Sequence, residues 1–307
     1  MSTSVIKMTP NEIQKLASHY QKYFLNKKVP YTSFVAKKDG LTITAYTSGK
    51  VMFQGAQAES EASKWQTGVN NSSKQTSQKS GTLPANFAEK SIIGSDEVGN
   101  GSYFGPLIVC AVYGESSVLP TLKKLGVKDS KMLTDPQIRQ LAPQIKEVVD
   151  YRLLTVAPEK YNQIQPQYNA VRMKVALHNQ AIALLLKDIA PKTPEGILID
   201  QFTPEANYRK HLRSEKQQVT DNLYFITKGE QYHLAVAAAS ILCRAQFLEE
   251  LEKASQEVGI TLPSGAGAKS DQVAAKILQR GGVQLLGKYA KLHFANTEKA
   301  KIIAKKQ

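Results

Sequence analysis

The first 66 residues alternate between apolar and polar positions in a way that predicts a small α+β unit. Thr9 and Glu12 match a capping box around Pro10, and apolar residues recur at helical spacing up to Phe24, so a helix is expected here. Period-two alternation then predicts three strands of an antiparallel sheet, joined by two glycine-containing turns. The expected strands lie at 31–37, 41–46 and 51–53, the turns at Asp39-Gly40 and Ser48-Gly49, and a second helix at 56–65.

Beyond this unit the periodicity stops and then returns in a different form. Residues 67–86 are expected to be a flexible linker, because 67–84 is rich in Gly, Ser, Asn and Gln and has no apolar periodicity. From residue 87 onward strands mix with helices, which is typical of an α/β domain with a mixed central sheet. We therefore expect a domain at 1–66, the linker, and a domain at 87–307. The strands of the second domain are expected at 91–94, 107–113, 151–156, 196–199 and 223–227, and its clearest helices at 170–189 and 234–253.

The charge balance of the chain indicates what kind of partner it binds. The chain of 307 residues has 40 Lys and Arg against 26 Asp and Glu, a net charge of +14. Such an excess favours a polyanionic partner, most often a nucleic acid, with a merely basic protein as the alternative. Lys50 and other lysines of the first domain lie among Thr and Tyr residues of the predicted strands. That mixture suits contact with a nucleic-acid backbone, although a solvated sheet face has the same composition.

Other features of the composition exclude whole classes of protein. No apolar run reaches the ~18–20 residues of a membrane helix, and the N-terminus lacks the apolar stretch of a signal peptide. Cys110 and Cys243 are too few for a disulfide framework and are interpreted as small buried residues. We therefore expect a cytoplasmic protein that does not contact a membrane. The absence of heptads favours a monomer.

Four acidic residues lie near the ends of predicted strands. Asp96 and Glu97 are expected to follow a strand and precede a glycine-rich turn, Asp200 ends another strand, and Glu230 precedes the long apolar helix. Gathered at one edge of a sheet, these carboxylates would repel one another unless a cation neutralised them. Carboxylate oxygens suit Mg²⁺ or Mn²⁺, and none of the five histidines has the spacing of a zinc motif.

Each of these acids also has an ordinary structural interpretation. An Asp-Glu pair before glycines is commonly a turn, and an aspartate at the end of a strand is commonly a cap. A glutamate before a helix interacts favourably with the helix dipole. Taken alone, the residues therefore predict a candidate metal-dependent nuclease, in which carboxylate-bound ions promote phosphodiester hydrolysis.

Several ordered blocks of the second domain resemble the type 2 ribonucleases H. They are SDEVGNGSYFGP at 95–106, KDSKML at 128–133, ILIDQF at 197–202 and ITKGEQYHLAVAAASILCRAQFL at 226–248. The later blocks LPSGAGAKSD at 262–271 and YAKLHFANTEKA at 289–300 resemble the ribonuclease HIII branch of that family in particular. The first domain is similar to the TATA-binding-protein-like, substrate-binding domain of that branch.

The resemblance implies a ribonuclease H fold that cuts the RNA strand of RNA/DNA hybrids and leaves 5′-phosphate and 3′-hydroxyl ends. By motif match, the residues that would hold Mg²⁺ or Mn²⁺ and carry catalysis are Asp96, Glu97, Asp200 and Glu230. The loop of Gly99, Asn100 and Gly101 would lie against 2′-hydroxyls, where glycine permits a close backbone approach. Ser130 and Lys131 would contact phosphate, and Lys50 would contribute to binding from the first domain.

Two departures from the motifs bear on the subtype. Asn100 stands where ribonucleases HII usually carry Arg, and 263–266 reads Pro-Ser-Gly-Ala where those enzymes place a Gly-Tyr pair that senses RNA–DNA junctions. Both argue against ribonuclease HII-like excision of single embedded ribonucleotides, which stays open as an alternative. The other alternative is a non-catalytic hybrid-binding protein, and the four retained acids argue against it.

Overall fold

The protein divides into two compact units, Met1–Ser77 and Gln78–Gln307. The computed structural model describes residues 3–25, 29, 31–55, 57–65 and 83–305. Residues 67–82, which are most of the expected linker, lie outside the described residues. Leu83, at its end, packs against Phe87 in the second unit. The limits of the expected domains otherwise stay predictions.

The first unit is a four-stranded antiparallel sheet with two helices on one face. Its elements are β1 (Thr3–Lys7), α1 (Pro10–Tyr20), β2 (Thr32–Lys38), β3 (Leu41–Tyr46), β4 (Lys50–Gln54) and α2 (Ala58–Lys64), and the sheet order is β1-β4-β3-β2. Leu16 and Tyr20 of α1 share one core with Ile43 of β3 and Val51 of β4. Strand β1 is absent from the sequence prediction, because its five residues are too few to establish a period.

Local sequence signals of the first unit act as expected. The Thr9 backbone N–H donates to Glu12 Oε2 at 2.7 Å, and the Glu12 N–H donates to Thr9 Oγ1 at 3.4 Å, which completes the capping box of α1. Asp39 and Gly40 both have positive φ, as a two-residue hairpin turn requires. These signals need only residues a few positions apart.

The second unit contains a five-stranded mixed sheet, which confirms the expected α/β class. Its strands are β5 (Ile92–Val98), β6 (Leu107–Gly114), β7 (Asp150–Val156), β8 (Gly196–Asp200) and β9 (Leu223–Ile226), in the order β7-β6-β5-β8-β9. The three strands β7, β6 and β5 pair antiparallel, and β8 and β9 continue parallel to β5. Its helices are α3 (Leu119–Leu125), α4 (Asp135–Val148), α5 (Pro158–Ile164), α6 (Ala170–Asp188), α7 (Glu205–Leu212), α8 (Leu234–Val258), α9 (Ala268–Tyr289) and α10 (Asn296–Ala304).

Helices cover both faces of this sheet. Alternate residues of β6 enter two cores: Cys110 packs in the core that contains the apolar side of α8, and Val109 in the core that contains α6. At Gly94 in β5, an added Cβ would lie 2.4 Å from the Val236 backbone nitrogen, so α8 approaches the strand more closely than any larger residue would allow. This close packing brings α8 alongside the end of β5.

One sequence prediction about the strands is wrong in a way that matters. Strand β5 does not stop at Gly94 but continues to Val98, because it pairs with β6 along its whole length, up to Val98 opposite Ile108. Asp96 and Glu97 therefore lie within a strand rather than in a turn after it. Within the described residues, no helix combines the length and apolarity needed to cross a membrane.

Candidate active site

Asp96 and Glu97 are neighbours on β5, so their side chains point to opposite faces of the sheet. Asp96 is 8% exposed and lies on the α8 side, where Cys243 Sγ donates to its backbone oxygen at 3.3 Å. Burial raises the pKa of Asp96 to about 8, and repulsion from Glu97 and Asp200 adds to the rise, against hydrogen bonds from Ser240 and the Glu97 backbone. A cation beside Asp96 would reverse this and favour the ionised carboxylate.

Glu97 lies on the α6 side and is held by two residues of that helix. Lys174 Nζ donates to its Oε1 at 2.8 Å, and His178 Nε2 lies 3.0 Å from its Oε2. Burial raises the pKa of Glu97, but His178 and Lys174 together outweigh burial and lower it below its usual range. The glutamate is therefore fixed and ionised within the protein.

The two α6 residues are themselves positioned by their surroundings. His178 Nδ1 lies 2.7 Å from Ser95 Oγ, and the ring stacks on Phe202 with 5.1 Å between centroids. Lys174 Nζ lies 4.1 Å from the centre of the Phe202 ring. Sequence reasoning did not identify Lys174 or His178. Their spacing of four places them on one helix face, but nothing local links that face to Glu97.

Asp200 and Glu230, from the end of β8 and from the turn before α8, complete the acidic group. Asp200 ends β8 and accepts a hydrogen bond from the Gly229 N–H at 2.8 Å. Burial raises the pKa of Asp200, and repulsion from Glu230 and Glu97 adds to it, against the Gly229 hydrogen bond and the charge of Lys131. Glu230 lies in a short 3₁₀ turn, Gly229–Gln231, just before α8. Its Oε1 accepts from Lys131 Nζ at 3.0 Å.

The four acids form one electrostatic cluster at the end of the sheet. Strand β8 runs parallel to β5 with Ile199 opposite Ser95, so the residues that follow, Asp200 and Asp96, reach the same edge. Asp96 is in turn repelled by Glu97, and Asp200 by Glu230. The expectation that the sheet would gather these side chains agrees with this geometry.

The residues fit an oxygen-preferring divalent ion. In the described ranges, no group of three or more His, Cys, Asp and Glu side chains is arranged to hold a metal as it stands. Lysine and histidine contact both oxygens of Glu97, and a lysine contacts one oxygen of Glu230. Glu230 Oε2, by contrast, is buried without a hydrogen-bond partner. A buried carboxylate oxygen with no donor is costly, and a cation would satisfy it.

The expected substrate-binding residues take different positions. Gly99 has φ +98° directly after β5, and Asn100 and Gly101 are exposed beyond it. Ser130 Oγ lies 2.9 Å from Ser240 Oγ, and the side chain of Lys131 is 75% exposed although it reaches Glu230. Lys50 is exposed at the start of β4 in the first unit. Their contact with substrate stays a prediction.

The mixed sheet, the acidic cluster at one edge and the strongly basic chain agree with the resemblance to type 2 ribonucleases H. The family model described as Ribonuclease HII matches residues 93–297, and residues 3–79 match one described as Domain of unknown function (DUF3378). A protein named Ribonuclease HIII from Enterococcus faecalis is 64% identical over 96% of this chain and 97% of its own. Another of that name from Listeria monocytogenes is 46% identical over the full length of both chains. The chain belongs to the ribonuclease HIII family.

Solved structures agree with this membership. The crystal structure of Bst-RNase HIII in complex with Mn²⁺ matches all of this chain and all of its own with a TM-score of 0.72 and 41% identity. Aquifex aeolicus RNase H3, at 22% identity and a TM-score of 0.53 over 94% of this chain and 99% of its own, shows the fold alone. The family resemblance, the fold class and the ribonuclease H enzyme class that the sequence predicts are thereby confirmed.

Proposed function

We propose that this enzyme hydrolyses the RNA strand of RNA/DNA hybrids with the help of Mg²⁺ or Mn²⁺, leaving 5′-phosphate and 3′-hydroxyl ends. The observation that carries the proposal is the buried, unpartnered Glu230 Oε2 within a cluster of four mutually repelling carboxylates. Such a cluster is a site for a hard cation. Divalent ions bound there would activate water and stabilise the leaving 3′ oxygen.

The residues of the chain itself supply the geometry. Asp96, Asp200 and Glu230 present carboxylate oxygens at the edge of the sheet, and Glu97 is fixed between Lys174 and His178. The Gly99–Gly101 loop follows directly after β5, where it would meet the 2′-hydroxyls of the RNA strand beside the acidic cluster. Lys131, free to leave Glu230 because most of its side chain is exposed, would move to a phosphate.

The outer face of the first unit's sheet is proposed to hold the hybrid. Lys7 and Lys50 are direct cross-strand partners on adjacent β1 and β4, and both are exposed on the face opposite the helices. Like charges placed directly opposite destabilise a sheet by themselves, so a bound polyanion would relieve them. This arrangement supports Lys50 as a substrate contact.

The cellular location and the oligomeric state of the enzyme are part of the same proposal. Cys110 and Cys243 are both free and buried, as suits a protein of the reducing cytoplasm. Each unit has its own hydrophobic core. We propose that the enzyme works in the cytoplasm as a monomer.

The test compares the wild-type protein with Asp96→Asn on three labelled substrates: an RNA/DNA hybrid, double-stranded RNA, and DNA that carries one ribonucleotide. We expect cutting of the hybrid with Mg²⁺ or Mn²⁺, none with EDTA, and a loss of orders of magnitude in turnover in Asp96→Asn. Hybrid binding by the variant should persist, because the lysines remain.

Three results would contradict parts of this proposal. Wild-type turnover by Asp96→Asn would remove Asp96 from the site. Binding without cutting under every condition would leave a non-catalytic hybrid-binding protein. Efficient cutting at the single ribonucleotide would indicate ribonuclease HII-like excision, which Asn100 argues against.

A further inference from the structure

Lys291 is a lysine buried in the second unit without an acidic partner. Its side chain is fully inaccessible to solvent, and in the described part of the chain no Asp or Glu pairs with it. Its Nζ instead donates to three backbone oxygens, of Ser102 at 2.9 Å, Gly105 at 2.5 Å and Pro106 at 3.4 Å. Burial lowers the pKa of Lys291 to about 7, and the three carbonyls accept the hydrogen bonds that offset the cost of burying its Nζ.

All three carbonyls belong to the segment that joins β5 to β6. The backbone of the same C-terminal stretch also pairs with that segment: the Lys291 N–H donates to Tyr103 O at 2.9 Å, and the Gly105 N–H donates to Tyr289 O at 3.1 Å. Tyr103 is buried, and its hydroxyl lies 2.9 Å from Thr297 Oγ1. The stretch from Tyr289 to Thr297 therefore forms the support on which the β5–β6 connection rests.

This support is linked to the predicted substrate loop through one backbone carbonyl, that of Pro106. Gly99 adopts φ +98°, and a Cβ added there would lie 2.0 Å from Pro106 O, so the Gly99 backbone is in close contact with that oxygen. Pro106 O is one of the three acceptors of Lys291. A shift of the Pro106 carbonyl would therefore move Gly99, and with it the exposed Asn100 and Gly101.

We infer that Lys291 is a positioning residue: it holds the backbone of the Gly99–Gly101 loop in the position needed to distinguish an RNA strand from a DNA strand. The inference rests on the proposed function, in which this loop lies against 2′-hydroxyls. A methionine at this position would fill a similar volume, but it could not donate to the carbonyls. The Lys291 Nζ fixes the orientation of the three backbone carbonyls that accept its hydrogen bonds.

The experiment measures discrimination rather than activity alone. Lys291→Met is placed in the Asp96→Asn background of the full chain, and the dissociation constants for an RNA/DNA hybrid and for a DNA duplex of the same sequence are compared. We expect the preference for the hybrid to fall about tenfold or more, because small misplacements of a recognition element are expensive. The Mn²⁺ affinity should equal that of the Asp96→Asn protein, since Lys291→Met leaves the other three acids unchanged.

The matched control is Lys288→Met, which makes the same substitution at an exposed position at the end of α9. It should leave the preference for the hybrid at the Asp96→Asn value. Gly99→Ala tests the contact between this loop and the carbonyl that Lys291 binds, because its methyl group would collide with Pro106 O. We expect the same loss of preference, so the inference stays testable even if Lys291→Met does not fold.

The outcomes separate this inference from the proposed function. An unchanged preference in folded Lys291→Met, or in Gly99→Ala, would overturn it. So would an equal loss in Lys288→Met, or a loss of Mn²⁺ affinity in parallel, which would indicate general damage to the fold. Failure of the wild-type protein to cut the hybrid would refute the proposed function, while the binding comparison would still report on Lys291.

Discussion

Lys174→Met would remove one of the two α6 side chains that hold Glu97 in the protein. Lys174 and Glu97 are both nearly buried, with side-chain exposures of 7% and 11%, and the Nζ–Oε1 distance is 2.8 Å. Removing one partner of a buried pair leaves an uncompensated charge, which typically costs about 3–5 kcal/mol. His178 still contacts the other oxygen, so we expect the low end, about 3 kcal/mol.

The assay is urea unfolding of the full-length protein in EDTA, so that no metal replaces the missing cation. Far-UV circular dichroism follows both units, whereas the fluorescence of Trp65, the single tryptophan, follows the first unit. A loss of about 3 kcal/mol would also lower the melting temperature of a unit of this size by roughly 6–12 °C. We expect the loss of stability to appear in the far-UV circular dichroism signal.

The control is Lys253→Met. Lys253 pairs with Glu249 at 2.7 Å, a distance like that of the Lys174 pair, but both side chains are about half exposed, at 56% and 50%. Water screens such a pair, so its removal should leave the free energy of unfolding nearly unchanged. Equal effects of Lys174→Met and Lys253→Met would refute the argument that burial makes the Glu97 pair important.

Two further predictions concern pH and domain organisation. Burial lowers the pKa of His233 from 6.5 to about 4, although a hydrogen bond to Lys90 O opposes this shift. As the pH falls, the unfolded chain therefore takes up the proton before the folded protein does. Up to about 3 kcal/mol of stability should be lost between pH 6.5 and pH 4. His233→Asn keeps a cap for α8 and should flatten this part of the pH dependence in urea titrations, and an unchanged slope would exclude His233 as its source. Removal of residues 1–77 should raise the KM for the hybrid and weaken the salt dependence of binding, whereas an unchanged KM would show that the first unit does not hold substrate.

Local patterns in the sequence predicted the elements that depend on neighbouring residues. The capping box at Thr9 and Glu12, the Asp39-Gly40 turn and the apolar side of α8 each use contacts within a few positions. The end of β5 was misplaced for the opposite reason. Its last residues are polar, and they stay in the sheet only because β6 pairs with them.

The candidate site shows the same division. Four acids were found because their residue types and positions near strand ends suggest cation binding, and the family motifs selected the same positions. Lys174 and Lys291 were not found, because their partners lie far away in sequence: 77 residues separate Lys174 from Glu97, and 189 separate Lys291 from Ser102. A lysine in an apolar context gives no local sign of what it will contact.

Composition and short-range patterns are therefore enough to indicate the kind of chemistry: a basic chain, a patterned α+β unit followed by an α/β domain, and four carboxylates near the ends of predicted strands. These are properties of composition and short-range periodicity. The folded arrangement of distant segments is needed to show that α6 holds Glu97, that Glu230 keeps one oxygen without a partner, and that Lys291 donates to the Pro106 carbonyl. The reason is physical, because burial and pairing of a charge depend on which distant segments the fold brings together.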